Sequence, residues 1–176
     1  CCKEEYTWEE KDDTNDRVIG IDPGFGSSEF GICITQKRKG KISVIYAEAF
    51  ERSSYIDIVN KINDLSQRFK TKRLFVDGSW PEGIRDLRDK YKMNVQGINF
   101  SQYGEKMLNY AANLIDFQKV EIHPVFKKLK LQIMTIKFNS KGSTDKTRQN
   151  PFDLGDAFLL SLYYYKMGSG TLAGVG

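Results

Sequence analysis

The stretch VIGIDPGFGSSEFGICI, residues 18–34, contains two apolar runs separated by a turn, and Asp22 ends the first run directly before Pro23 and Gly24. A carboxylate at the end of a strand is costly to desolvate unless it has a partner. Asp-Pro-Gly is equally well suited to an ordinary turn. Asp22 is therefore either a turn residue or a carboxylate held in place for chemistry, and the partners that the rest of the chain supplies decide between the two.

The composition is that of a globular protein. The chain has 176 residues, of which 40% are hydrophobic and 28% charged, and this is enough for one domain with a sizeable core. No apolar run approaches the ~20 residues of a membrane span, and the N-terminus lacks the apolar segment of a secretory signal. The three cysteines have no metal-ligand spacing. A disulfide scaffold is therefore not expected, and a reducing, cytosol-like compartment is the default.

The net charge of +4 is unevenly distributed along the chain. Residues 1–16 hold two lysines against seven acids, so the rest of the chain carries +9. Residues 117–150 hold eight bases and only two acids. A basic stretch is usually a solvated face, but it also suits a polyanion such as nucleic acid, since each neutralised phosphate releases counterions. The candidate phosphate contacts are Lys127, Lys128, Lys130, Lys137, Lys141, Lys146 and Arg148.

The hydrophobic spacing predicts an α/β fold. Three strands come first, at 17–22, 29–36 and 41–50, and Gly40 suits the hairpin turn between the last two. Helices and short strands then alternate, which requires crossover connections. The order predicts a mixed sheet, a three-strand antiparallel meander plus parallel strands, with helices on both faces. The later elements are a helix at 54–69, a strand in 73–79, a helix at 81–91, a strand at 94–100, a helix at 101–118, a region at 120–139 that fits a helix or a hairpin, and a buried helix at 156–166.

Three aspartates occupy comparable places in this order. Asp22 and Asp77 each end an apolar strand, and Asp156 starts the last helix, with Asp153 one turn earlier. If the first and fourth strands are neighbours, Asp22 and Asp77 meet at one edge of the sheet, and the last helix brings Asp156 to the same point. Each aspartate alone is more often a turn or helix-start residue. The combination of the three favours a site, with Asp153 as an N-cap, an auxiliary ligand or a base.

A cluster of carboxylates needs a cation. Three carboxylates within a few ångströms repel one another and destabilise the fold unless a positive charge joins them. Ligands that are all oxygen favour magnesium or manganese. Two such ions held ~3.5–4 Å apart can activate a water and stabilise the leaving oxygen of a phosphodiester. The acids would then hold metal while the basic surface holds the phosphate backbone.

The order of elements and four motifs resemble the RNase H-like nuclease superfamily, and within it the C-terminal nuclease domain of viral (bacteriophage-type) large terminase subunits. The resemblance covers residues 17–166. It implies that Asp22, Asp77 and Asp156 bind the catalytic metals, with Asp22 bridging them. The position of Asp153 is an acid or histidine in a number of members. The motifs are VIGIDPGFGSSEFGICI, RLFVDGSWPEGIRDLRDKY followed by NVQGINF, SQYGEKMLNYAANLI, and NPFDLGDAFLLSLYY.

The resemblance also implies an activity and partners. It implies an endonuclease that cuts concatemeric viral DNA during genome packaging, by two-metal hydrolysis with magnesium or manganese, inside the host cell. The implied partners are double-stranded DNA, an upstream packaging ATPase in the parent protein, the portal and the small terminase subunit. No G-x-x-x-x-G-K-[ST] occurs in the chain. We therefore expect an isolated nuclease domain at 17–167, preceded by an acidic linker or tail at 1–16 and followed by a flexible tail at 168–176.

Three other functions remain compatible with the residues. Holliday-junction resolvases share the IGIDPG pattern, act as dimers and prefer four-way junctions. An actin-like ATPase would use the Gly-rich hairpin after Asp22 to hold phosphates, although that fold needs two such domains. A non-catalytic DNA-binding module would bind DNA regardless of divalent metal or of the loss of any one acid.

Overall fold

The computed structural model of the protein describes residues 17–24, 29–51, 54–71, 73–135 and 152–167. The predicted acidic segment 1–16 and the predicted tail 168–176 lie outside these ranges. The described residues form one sheet with helices on both of its faces. Its strands are β1 (Arg17–Asp22), β2 (Glu29–Arg38), β3 (Lys41–Glu51), β4 (Arg73–Asp77), β5 (Asn94–Ile98) and β6 (Val120–Ile122).

The sheet is mixed, as the order of elements predicts. Its strand order is β5-β4-β1-β2-β3-β6. Strands β1, β2 and β3 form the antiparallel meander, whereas β4 pairs with β1 in parallel, β5 with β4, and β6 with β3. The expectation that the first and fourth strands are neighbours is thus confirmed.

The helices begin where local chemistry favours them. Ser54 caps the first helix, since its Oγ accepts the Asp57 N–H at 3.3 Å. Pro81 takes the first helical position of the second, where its missing N–H costs nothing. No helix in the described ranges combines the length and apolarity that a membrane span needs. The helices are α1 (Tyr55–Arg68), α2 (Pro81–Asp89), α3 (Phe100–Asp116), α4 (Lys127–Met134) and α5 (Asp153–Met167).

The ambiguous region 120–139 divides into two elements. Its start forms the edge strand β6, and α4 follows after a turn. Burial explains the helix: Leu129 is fully buried while Leu131 is 62% exposed, so only one side of α4 meets the core. Residues 136–139 lie outside the described ranges.

The two faces of the sheet carry separate cores. Ile19 and Ile21 of β1 pack with residues of α1 on one face. Val18, on the other face, packs with residues of α3, α4 and α5. Helix α5 contacts the sheet on one side and helices α3 and α4 on the other, which explains why it is apolar on nearly every side.

Two glycines let α5 approach the sheet. A Cβ on Gly20 would lie 1.9 Å from the carbonyl oxygen of Ala157, and one on Gly31 would lie 2.3 Å from that of Asp153. Both contacts are to backbone, so no side-chain rotation relieves them. The absence of side chains at these positions therefore sets where the first two turns of α5 rest on β1 and β2.

The Cys33 thiol is expected to be unreactive in the folded protein. Cys33 belongs to β2 and is fully buried on the side of α5. Burial raises its pKa to about 12 despite a hydrogen bond with Ser161. Because the thiolate is the nucleophile, iodoacetamide at pH 8 should label Cys33 only after denaturant is added. Mass mapping of its peptide checks this, and labelling at equal rates in native buffer and in denaturant would contradict the buried position.

Candidate metal centre

Asp22 and Asp77 lie at the same edge and on the same face of the sheet. Strands β1 and β4 are parallel, and their register pairs Ile21 with Val76, so the aspartates that follow end neighbouring strands at one level. Side chains alternate between the faces of a strand. Gly20, two residues before Asp22, abuts α5, and Phe75, two residues before Asp77, packs in the core beneath α5. Both carboxylates therefore lie on the α5 face.

Each of these two carboxylates also caps its own turn. Oδ1 of Asp22 accepts the Gly24 N–H at 2.9 Å, and Oδ1 of Asp77 accepts the Ser79 N–H at 2.9 Å. The interpretation of these aspartates as turn residues therefore accounts for the Oδ1 atom of each carboxylate. It does not account for burial, because Asp22 is only 3% exposed and an ordinary turn aspartate faces water. The turn holds the Asp22 carboxylate in a fixed orientation within the protein.

The first turn of α5 lies at this edge and carries two more aspartates, both of them buried. Asp156 is fully buried and Asp153 is 3% exposed. Gly31 is the cross-strand partner of Asp22 and abuts the Asp153 backbone, so this turn lies over the end of β1. Carboxylates in the first turn of a helix are favoured by the positive end of its dipole.

The donor set fits a hard divalent cation. All four side chains offer carboxylate oxygens, and buried carboxylates are normally paired or bound to metal. Within the described segments, however, no three histidine, cysteine or acidic side chains form a ready-made metal cluster. Asp22 and Asp77 lie at the predicted edge of the sheet, but α5 begins at Asp153, one turn before the predicted start at Asp156, so Asp153 is a helical residue and not the N-cap. The ligand set Asp22, Asp77 and Asp156 stays a prediction.

The predicted phosphate contacts are only partly within the described residues. Lys127, Lys128 and Lys130 are exposed on α4. Lys137, Lys141, Lys146 and Arg148 lie outside the described ranges.

Two residues of this region were not predicted from the sequence. Gln132 of α4 is buried, and its Oε1 accepts the Gly155 N–H of α5 at 2.8 Å. Glu29, the first residue of β2, forms an ion pair with Lys128. The partners are 23 and 99 residues apart in the sequence, and no local pattern signals either contact.

The strand order, the mixed pairing of the strands, and helix α5 packed on the face that carries Asp22 and Asp77 define an RNase H-like fold. No protein-family model and no curated protein matches the chain. Solved structures do match, and the fold is that of the nuclease domain of bacteriophage large terminases.

Three of these structures show the extent of the likeness. The nuclease domain of the large terminase g2p of bacteriophage SPP1, with bound Mn, is 16% identical with a TM-score of 0.65, over 86% of each chain. The large terminase nuclease of thermophilic phage G20c is 16% identical with a TM-score of 0.69, over 85% of this chain and 81% of that one. A longer large terminase, from another thermophilic bacteriophage, is 12% identical with a TM-score of 0.70, over 89% of this chain. The chain spans only 40% of that longer protein.

Proposed function

We propose that the chain is the nuclease domain of a large terminase, a metal-dependent endonuclease that hydrolyses phosphodiester bonds of double-stranded DNA. One observation carries the proposal: Asp22 and Asp77 end adjacent parallel strands on the face where the first turn of α5 places Asp153 and Asp156. The fold supports it, since the matching nuclease domains include one with bound Mn and one with bound magnesium.

In this proposal, the carboxylates of Asp22, Asp77 and Asp156 would hold two divalent cations, magnesium or manganese. Asp22 lies on the strand between β4, which carries Asp77, and β2, which abuts the α5 turn. Asp22 therefore lies between Asp77 and the turn that carries Asp156, and these three side chains would supply the carboxylate ligands. Bound cations of this kind lower the pKa of the attacking water and stabilise charge on the leaving oxygen.

The reaction is the addition of water across one P–O bond. The water oxygen forms a bond to phosphorus, the bond from phosphorus to the 3′ oxygen breaks, and the 3′ oxygen takes up a proton. The products are a 5′-phosphate and a 3′-hydroxyl. Asp153, one turn before Asp156, is the candidate acceptor of the proton that the water loses.

The basic residues supply the DNA contacts in this proposal. Lysines of α4 would bind backbone phosphates, which positions a duplex but gives little sequence specificity. Binding should then weaken steeply as the salt concentration rises.

The longer thermophilic-phage large terminase has also been solved in complex with ADP. We propose that the parent protein likewise carries an upstream packaging ATPase and acts on concatemeric viral DNA with a portal and a small terminase subunit.

Incubation of supercoiled plasmid with magnesium, manganese or EDTA tests the proposal. We expect nicked and linear products with either metal and none with EDTA, and we expect Asp156→Asn to lose at least about 10²-fold in rate because a metal ligand is removed. Circular dichroism should show that this variant is folded. Equal cleavage by the variant, or no cleavage by wild type at any metal concentration, would contradict the proposal. A four-way junction that outcompetes plasmid by orders of magnitude would instead favour a resolvase.

A further inference from the structure

Helix α4 is anchored to the acidic edge by two contacts on one of its sides. Lys128 and Gln132 are four residues apart and therefore share a side of the helix. Gln132 binds the backbone of Gly155 in the first turn of α5. The Lys128 ammonium lies 2.5 Å from a carboxylate oxygen of Glu29. This side of α4 thus runs from the start of β2 to the turn that carries Asp153 and Asp156.

Glu29 lies at the same edge and on the same face as Asp22. It is two residues before Gly31, the cross-strand partner of Asp22, and side chains two apart on a strand share a face. Its side chain is 21% exposed, whereas that of Lys128 is 45% exposed. The Lys128 ammonium therefore borders the carboxylate edge, and the Lys128 side chain is partly accessible to solvent.

Stability alone gives little reason for this ion pair. An ion pair between partly exposed side chains contributes little to the free energy of unfolding. An ammonium has three donors, so it can keep Glu29 and still donate to another oxygen. An oxygen of a phosphate held at the acidic edge is such an acceptor, and its negative charge grows as hydrolysis proceeds.

We propose that Lys128 binds a non-bridging oxygen of the phosphate that is cleaved, and that Glu29 is the positioning residue that holds its ammonium at the site. The inference rests on the proposed function, and it separates Lys128 from the other lysines of α4. Those would contact phosphates along the duplex and affect affinity alone.

Single-turnover cleavage of a DNA duplex, with saturating protein and magnesium, measures the role of Lys128. We expect Lys128→Met to lose about 10²-fold in rate, as when one electrostatic donor is removed from a reacting centre, and Lys128→Arg to retain most of the rate. Lys41→Met is the matched control. Lys41 pairs with Glu121 at 2.7 Å with side chains 54% and 52% exposed, at the opposite end of the sheet. This control should cut like wild type.

Salt dependence of duplex binding gives a second readout that does not require cleavage. In calcium, the slope of log affinity against log salt should become shallower by about 0.9 for Lys128→Met, because one phosphate contact is lost. It should stay unchanged for Lys41→Met. Glu29→Gln should keep the wild-type slope, since the ammonium remains, yet lose on the order of 10-fold in rate. In the double variant Glu29→Gln with Lys128→Met, the loss should equal that of Lys128→Met alone.

The two proposals fail in different ways. If wild type cuts but Lys128→Met matches Lys41→Met in rate and slope, the role of Lys128 is overturned while the nuclease stands. If wild type never cuts, the nuclease proposal fails, and the binding slopes alone decide whether Lys128 contacts phosphate. Thermal unfolding of each variant shows whether the comparison is between folded proteins.

Discussion

Asp22→Asn is expected to reduce metal-dependent DNA cleavage by about 10³-fold or more while leaving the fold intact. Asn keeps the shape of the side chain and can still accept the Gly24 N–H, so the turn after β1 should survive. It removes the negative charge from a carboxylate that we propose as a ligand of the cations. Losing several kcal/mol of charge stabilisation corresponds to this factor, since each 1.36 kcal/mol is tenfold in rate.

Metal binding can be measured apart from cleavage. Manganese should raise the melting temperature of wild type, because a ligand at 100 times its Kd adds about 2.7 kcal/mol to the free energy of unfolding. Asp22→Asn should lose that rise. Asp64→Asn, which removes an exposed carboxylate from α1 on the opposite face, should keep both the rise and the cleavage rate. If Asp22→Asn behaves like this control, Asp22 serves the turn alone.

The sequence predicted the bounds of a strand or helix correctly where residues within or beside that element determine where it ends. The bounds of β1 are those predicted, because an apolar run that ends at Asp-Pro-Gly can continue no further. The region 120–139 was undecided for an equally physical reason: Leu129, Leu131 and Ile133 alternate as in a strand, and they also fit a short helix. Burial decides for the helix, since Leu129 enters the core while Leu131 faces water.

The acidic edge was predictable because parallel neighbours end at the same edge of a sheet. The position of α5 on the sheet was not predictable. A glycine in a strand can mark a turn, a bulge or a close approach of another backbone, and the sequence does not distinguish these cases. The pairs Gln132 with Gly155 and Glu29 with Lys128 join distant segments, so only the folded chain brings them together. The ligand set itself stays a prediction.

Gly20→Ala is expected to have the largest effect on stability. Its Cβ would lie 1.9 Å from the Ala157 carbonyl oxygen and 2.7 Å from the Ser161 nitrogen, and both are backbone atoms that no rotamer change can move. Helix α5 would have to shift away from β1. Its contacts with the sheet are mainly with β1 and β2. Overpacking a core typically costs 1–3 kcal/mol, and we expect about 3 kcal/mol or more here.

Gly104→Ala is the matched control, because the same methyl group should have the opposite effect there. Gly104 lies within α3, and its Cβ would meet only the Phe100 ring edge, at 3.8 Å, an ordinary contact. Alanine should therefore stabilise the protein by up to about 1 kcal/mol through helix propensity and a less flexible unfolded chain. Urea unfolding measures both variants. Equal midpoints would show that α5 does not rest on Gly20, and the placement of Asp153 and Asp156 over the end of β1 would lose its structural basis.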